Sequence, residues 1–326
     1  MTMKTKSEIV LLILFISIFM ILSVVSQGRF LSFDNLQIMA FQLPELGMIT
    51  LGMMVVILLA GINLSITATS ALSGVITALF LTNIETGNIC LLICGAIAVA
   101  TMFGLLSGLL NGYIIAYIGV TPILATLGAK ILFEGISLYL TKGGSISGYP
   151  KQFFIFGNGT IFQIPIPLII FIVFLVITYF LLDRTPWGAK VYSIGSNPIA
   201  AKFSGIHVKR ISLQVYIYSS LLASIASIIM ISRYNSAKAA LGQSYLLESI
   251  AAAVLGGTKI TGGEGSVLGT LLAISIIQII SSGFNMLNVN RFITNAIMGL
   301  LLIFVLSVDY LWGMYGQRSS IKATNY

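Results

Sequence analysis

Four ionisable side chains interrupt otherwise apolar stretches of this chain: Glu45, Lys130, Glu134 and Glu248. A charge held inside an apolar run is costly, so where one is kept it carries ions or protons, meets a polar solute, or pairs with an opposite charge. Lys130 and Glu134 stand four apart, the spacing that pairs charges along one helix face. Glu45 and Glu248 have no partner nearby in sequence. Each lies near the start of its run, where a carboxylate can reach out to water. Gln42, Asn63, Ser65, Asn111, Thr126 and Asn285 add uncharged hydrogen-bonding groups to the same runs. Together these residues suit a polar path for a solute, or hydrogen bonds between helices.

Other chemistries lack their parts. The chain has one histidine, His207, and two cysteines, Cys90 and Cys94, four apart in one apolar run. No metal-ligand spacing results, and the cysteines are expected to be small buried apolar residues. There is no Gly-x-Ser-x-Gly elbow and no Gly-x-x-x-x-Gly-Lys-[Ser/Thr] loop. The run Gly256-Gly257-Thr258-Lys259-Ile260-Thr261-Gly262-Gly263-Glu264-Gly265 is Gly-rich but lacks the Gly-Lys-Ser/Thr core. An enzyme is not expected, nor any cofactor in this chain. A process driven by ATP would need a separate ATPase to bind ATP and Mg.

The elements that must position these residues are membrane helices. Hydrophobic residues make up 57% of the 326-residue chain and charged residues 8%, with a mean hydropathy of +1.04; soluble domains carry about 25% charged residues. Ten apolar runs approach the length of a lipid-crossing helix: 8–26, 40–60, 63–82, 89–110, 118–140, 163–182, 211–232, 245–258, 266–284 and 292–310. The expected fold is an all-α polytopic bundle in one domain, residues 1–326. A β-barrel is not expected, since the runs are too long and show no two-residue alternation. Lys4 and Lys6 followed by an apolar run have the outline of a secretory signal, but the run is long for one, and a retained first helix is expected.

Two runs are punctuated. Gly61-Ile62-Asn63-Leu64-Ser65 breaks the chain between the second and third spans, and Gly256-Gly257 with Gly262-Gly263 breaks it between the eighth and ninth. Irregular backbone at membrane depth is tolerated where it is buried or lines a cavity. The two helix–break–helix units hint at a parallel internal repeat. The segment from Thr141 to Pro165 mixes turn formers and aromatics, which suits a protein-contact surface or a flexible connection.

The largest polar segment is an island from Asp183 to Arg210. It holds Arg184, Lys190, Lys202, Lys209 and Arg210, five of the 17 basic residues. With an even number of spans, both termini share its side. That side then carries ten Lys/Arg against six on the other, which places the island and both termini in the cytosol. The net charge of +8 reads as orientation and contact with anionic lipid; nucleic acid is not an expected partner. Inside the island Asn197 is a good N-cap, Pro198 suits the first helical position, and Ala200 and Ala201 favour helix. Ser204-Gly205 ends the segment. The result is a short capped rod, with Lys202 and Ile206 flanking, whose small Ala-Ala face suits a groove in another protein.

Four motifs resemble, in the right order, the permease subunits of bacterial ABC importers of the ribose/galactose/xylose and autoinducer-2 type, within the branched-chain-permease superfamily. Gly61-Ile62-Asn63-Leu64-Ser65 is similar to the family's Gly-Ile-Asp-Leu-Ser. Ala125-Thr126-Leu127 is similar to its Ala-Thr-Leu. Gly195 to Ile206 is similar to its Gly-x-Asn-x-x-Ala-Ala-x-x-Ser-Gly-Ile loop. Ala251 to Thr258 with Gly262-Gly263-x-Gly265 is similar to its Ala-Ala-x-Val-Leu-Gly-Gly-x…Gly-Gly-x-Gly run. The resemblance implies a multi-pass protein of the bacterial cytoplasmic membrane. It implies pairing with a second permease, either a copy or a paralogue, and contact with an ATPase with two nucleotide sites and with an external substrate-binding protein. It also implies that Asn197–Ile206 is a coupling helix seated on the ATPase, and that the cargo is a small hydroxylated solute such as a monosaccharide. Two positions depart from the pattern: Asn63 replaces the usual Asp, and Glu134 stands where many sugar members carry Arg. The alternative is an ion- or proton-coupled carrier using Glu45, Glu134 or Glu248.

Overall fold

The computed structural model describes residues 3–84, 87–287, 289, 290, 293, 296, 297, 299 and 300. The expected span 292–310 therefore falls largely outside the described residues. Among them, eight helices are long and apolar enough to cross a membrane: α1 (Met3–Val25), α2 (Phe33–Ile57), α3 (Ile66–Asn83), α4 (Ile89–Tyr113), α5 (Pro122–Thr141), α7 (Ile166–Arg184), α10 (Val208–Tyr234) and α12 (Val267–Met286). Between them lie the short helices α6 (Ile155–Asn158), α8 (Pro186–Ser196), α9 (Pro198–Phe203) and α11 (Tyr245–Leu255). The eighth expected span is thus α11 alone. At 11 residues and about 1.5 Å per residue it reaches only half-way through a bilayer core.

α10 is the mast of the bundle, and positions along it show how its neighbours run. Gly112, Gly108 and Gly104 of α4 lie against Leu213, Ile217 and Ser224 in turn, so α4 is antiparallel to α10. Gly52 of α2 lies against Ser219 while Glu45 meets Arg233, so α2 is antiparallel as well. Asn63 meets Ser219, and Gly74 meets Ser227 and Ile231, so α3 runs with α10. The contact with α4 depends on its glycines. A methyl group at Gly108 would stand 2.5 Å from Cα of Ile217. Small residues every fourth position let two backbones approach where lipid supplies no hydrophobic drive.

α12 lies between α1 and α2. Its first turn meets Glu8 through Ser266, Gly283 packs on Leu22, and the Ser282 hydroxyl donates to Asn35 Oδ1 at 2.9 Å. α2–α3 and α11–α12 both reverse at the end of the bundle that carries α8 and α9, as the repeat hint requires. Cys90 and Cys94 are free thiols on the outside of α4. This corrects their expected burial: both are exposed, on the side of α4 that no other helix covers among the described residues.

The long connection after α5 is no flexible link. A bridge pairs Ile146 with Ala237, and the Ser232 hydroxyl donates to Phe153 O at 2.7 Å. Asn158 Nδ2 donates to Ser232 O at 3.2 Å. α6 is thereby strapped to the end of α10. A two-residue-per-strand hairpin follows, β1 (Thr160–Ile161) paired antiparallel with β2 (Ile164–Pro165).

Candidate functional site

α2 ends at Ile57, and the chain stays irregular until α3 begins at Ile66. This frees backbone donors and acceptors in a place where water cannot serve them, so side chains must. Asn63 Oδ1 accepts from the Ser65 N–H at 3.2 Å and from the Ser65 hydroxyl at 2.8 Å. Asn63 Nδ2 donates to Ser219 Oγ at 3.1 Å, and Asn111 Nδ2 donates to Ser65 Oγ at 2.9 Å. Thr126 Oγ1 accepts from the Leu64 N–H at 3.0 Å and lies 3.1 Å from Ile62 O. Four of the sequence-selected polar residues, Asn63, Ser65, Asn111 and Thr126, therefore come from three separate stretches into one fully buried pin. Ser219 completes it, a residue that sequence reasoning missed because serines recur throughout α10. Beside the pin, the buried hydroxyls of Thr67, Thr69, Ser70, Ser220 and Ser227 have no partner among the described residues. α3 and α10 thus share a hydroxyl-rich seam.

The remaining path candidates are distributed elsewhere. Gln42 Oε1 accepts from Gln278 Nε2 at 2.8 Å, joining α2 to α12. Lys130 Nζ lies 3.8 Å from Glu134 Oε1, as the four-residue spacing anticipates, and Gln243 Nε2 reaches the same oxygen at 3.5 Å. Glu248 is half-buried on α11, and Asn285 is exposed near the end of α12. Glu45 does not reach out to water. It is fully buried, with Arg233 Nη1 at 2.9 Å, Tyr245 OH at 2.7 Å and Tyr234 OH at 3.0 Å. The expected escape to solvent fails because α10 brings Arg233 and Tyr234, and α11 brings Tyr245, onto the carboxylate.

At the other end of the bundle the polar island folds into α8 and α9. Thr185 caps α8, its hydroxyl accepting from the Gly188 N–H. Asn197 caps α9, with Oδ1 accepting from the Ile199 and Ala200 N–H groups at 3.0 Å each. Pro198 opens the helix, and Gly205, at φ +80°, turns the chain out of it. The expected Ala-Ala face divides. Ala201 is buried against its own chain, while Ala200, Lys202 and Ser204 are exposed and Ile206 is half-buried. The largest exposed apolar groups on α9 are Ile199 and Phe203, 68% and 88% exposed. Sequence reasoning passed over both, although two large apolar residues in a polar island are themselves a signal.

Glycines fasten this rod to the bundle. Gly263 N donates to Leu58 O at 2.9 Å, just past α2, and a methyl group at Gly195 would collide with that same carbonyl. Gly262 and Gly263, at φ +82° and +79°, shape the turn that reaches it. Tyr192 OH donates to Gly265 O at 3.3 Å, and burial pushes its phenol well above the usual range, so it remains a donor. Lys259 Nζ and Glu264 Oε1 close the turn at 2.7 Å. Gly256 has a different task, admitting the backbone of Thr270 from α12. The end of α2, the end of α8 and the Gly-rich turn thus meet backbone to backbone beside α9. Gly61 sits one step along the chain, its Cα against Tyr216.

A bundle of apolar helices around a polar break, with a capped rod fastened to one end, defines a multi-pass membrane transport protein. A family model described as the permease component of the branched-chain amino acid transport system matches residues 35–306. The ribose import permease protein of Bacillus subtilis (strain 168) is 36% identical over 90% of this chain and 91% of its own length. The autoinducer 2 import system permease protein of Yersinia pseudotuberculosis serotype O:1b is 34% identical over 86% of this chain and 84% of its own length. No solved structure matches at a comparable level. The chain belongs to this family of import permeases and is a transport subunit.

Proposed function

We propose that the chain is the membrane subunit of an ATP-driven importer, working beside a second permease, and that its cargo is a small uncharged hydroxyl-rich molecule. A monosaccharide comes first, since one relative is named for ribose; a molecule of the autoinducer-2 kind comes second. The uncharged pin and the seam of unpartnered hydroxyls beside it fit such a cargo, because solute or water hydroxyls supply what those groups lack once the helices part. The island end faces the cytosol with the termini, and the Glu45 end faces an external binding protein.

The observation that carries this reading is the junction of α9 with α2. α9 offers Ile199 and Phe203 outward, to a groove on a cytosolic ATPase that binds ATP and Mg. Its base is tied through Gly195, Gly263 and Leu58 to the end of α2, which runs directly into the polar break. A push on α9 therefore reaches Asn63 within a few residues of chain. The test replaces Ile199 and Phe203 together by serine in the chain co-expressed with the ATPase subunit of its importer. Loss of ATPase co-purification and of uptake, with an unchanged melting temperature, is expected; unchanged uptake overturns the proposal. A gradient-driven carrier is less well supported, because Glu45 and Glu134 each already face a cation. Uptake that survives ATP depletion would reverse that order.

A further inference from the structure

We propose that the β1–β2 hairpin is a lipid anchor, with Phe162 and its isoleucine neighbours seated in the headgroup layer at the end of the bundle opposite the polar island. The connection after α5 is able to hide its aromatics: Phe153 is fully buried and Tyr149 is 5% exposed. Yet the hairpin leaves Phe162 95% exposed, flanked by Ile161 at 50% and Ile164 at 48%. The turn itself is unusual. Phe162 and Gln163 both have positive φ, +49° and +68°, in a two-residue connection that ordinarily selects Asn-Gly. A bulky aromatic held in that region is an outlier that its surroundings must reward.

Geometry puts lipid there. The hairpin leads straight into α7, whose 19 residues span about 28 Å, close to the roughly 30 Å hydrocarbon core. The tip, a few residues beyond the first turn of α7, then lies in the adjoining layer about 5–7 Å deep, where aromatic side chains are favoured. No Asp, Glu, Lys, Arg or His occurs between Lys151 and Asp183, so nothing charged opposes insertion. The exposed face of α7 carries Ile172, Val173, Val176 and Phe180 and no glycine, alanine or serine. That is a face for acyl chains, not for the close approach of a second helix, and the hairpin leads directly into this helix.

The experiment measures depth on the full chain. A Cys90→Ala/Cys94→Ala background carries Phe162→Cys or Gln163→Cys with a nitroxide label, reconstituted in 3:1 phosphatidylcholine:phosphatidylglycerol vesicles. Power saturation compares collisions with oxygen and with a water-soluble nickel chelate; a label on Lys151→Cys serves as the exposed reference. Oxygen access several-fold above nickel access, relative to the Lys151 label, is expected. Nickel access equal to the reference overturns the proposal. Protection from both reagents also overturns it, since the tip would then touch protein, either a second copy or a docked binding protein. If the Phe162 variant melts early, the Gln163 label gives the same reading with the aromatic intact.

Discussion

Glu45 Oε1 and Arg233 Nη1 lie 2.9 Å apart although 188 residues separate them in sequence, and the carboxylate has no exposed surface. The pair joins the last turn of α10 to the middle of α2, and Tyr245 brings in the first turn of the half-length helix α11. Three helices are registered by one carboxylate.

Breaking that pair should be expensive. Glu45→Leu leaves an Arg233 guanidinium largely buried without its partner, a loss of about 3–5 kcal/mol. The double variant Glu45→Leu/Arg233→Met should cost clearly less than the two single changes added together, because no orphaned charge remains. Denaturation in nanodiscs checks this. Additive losses would show that the two residues act independently.

The pin at the break tolerates the family's usual residue. In Asn63→Asp the carboxylate keeps both bonds from Ser65, and the Ser219 hydroxyl turns to donate instead of accept. Uptake by this variant should stay within a few-fold of the parent. Asn63→Leu orphans Ser65 and Ser219 at about 1–3 kcal/mol for each buried group, and the folded yield should drop. Equal yields for the two variants would remove the pin's structural role.

Glycine position decides glycine tolerance. Gly108→Val drives a side chain into the backbone of Ile217 and should abolish the folded monomer. Gly128→Val, on the open face of α5, meets nothing within 4 Å. Its monomer should melt within about 0.5 kcal/mol of the parent. Size-exclusion profiles and melting curves of the two variants distinguish these outcomes.

On α9, neighbouring alanines should behave differently. Ala201→Glu places a charge in the chain's own packing and should lower the melting temperature together with uptake. Ala200→Glu, on the exposed side, should leave melting unchanged and affect uptake alone. Removing the cap by Asn197→Ala should cost about 0.5–2 kcal/mol locally, seen as faster amide exchange at Ile199 and Ala200.

Much of this architecture was legible in the sequence because membrane helices obey local rules. Apolar run length found eight of the spans, while 245–258, the shortest of the ten runs, proved to be the half-length α11. The Asn197-Pro198 cap is a matter of neighbouring residues and appeared where expected, as did the Lys130–Glu134 pair. Misreadings arose where the partner is distant. Glu45 looked unpartnered because Arg233 belongs to another helix, and the two cysteines looked buried because helix periodicity gives a face without saying what covers it. Gly262 and Gly263 do lie in the break between α11 and α12, but their contact with Leu58 joins segments far apart in the chain and had no local signal.

By itself, the sequence determined the lipid-crossing segments, the caps, the polar break and the kinship that its motifs carry, since each depends on residues within a turn or two of one another. Only the tertiary structure decided which polar groups face each other, which alanine of α9 is free, and that the connection after α5 is strapped to the end of α10. Those outcomes follow from helix packing, where a glycine on one rod sets the approach of another and a buried donor is satisfied by whichever acceptor that approach delivers.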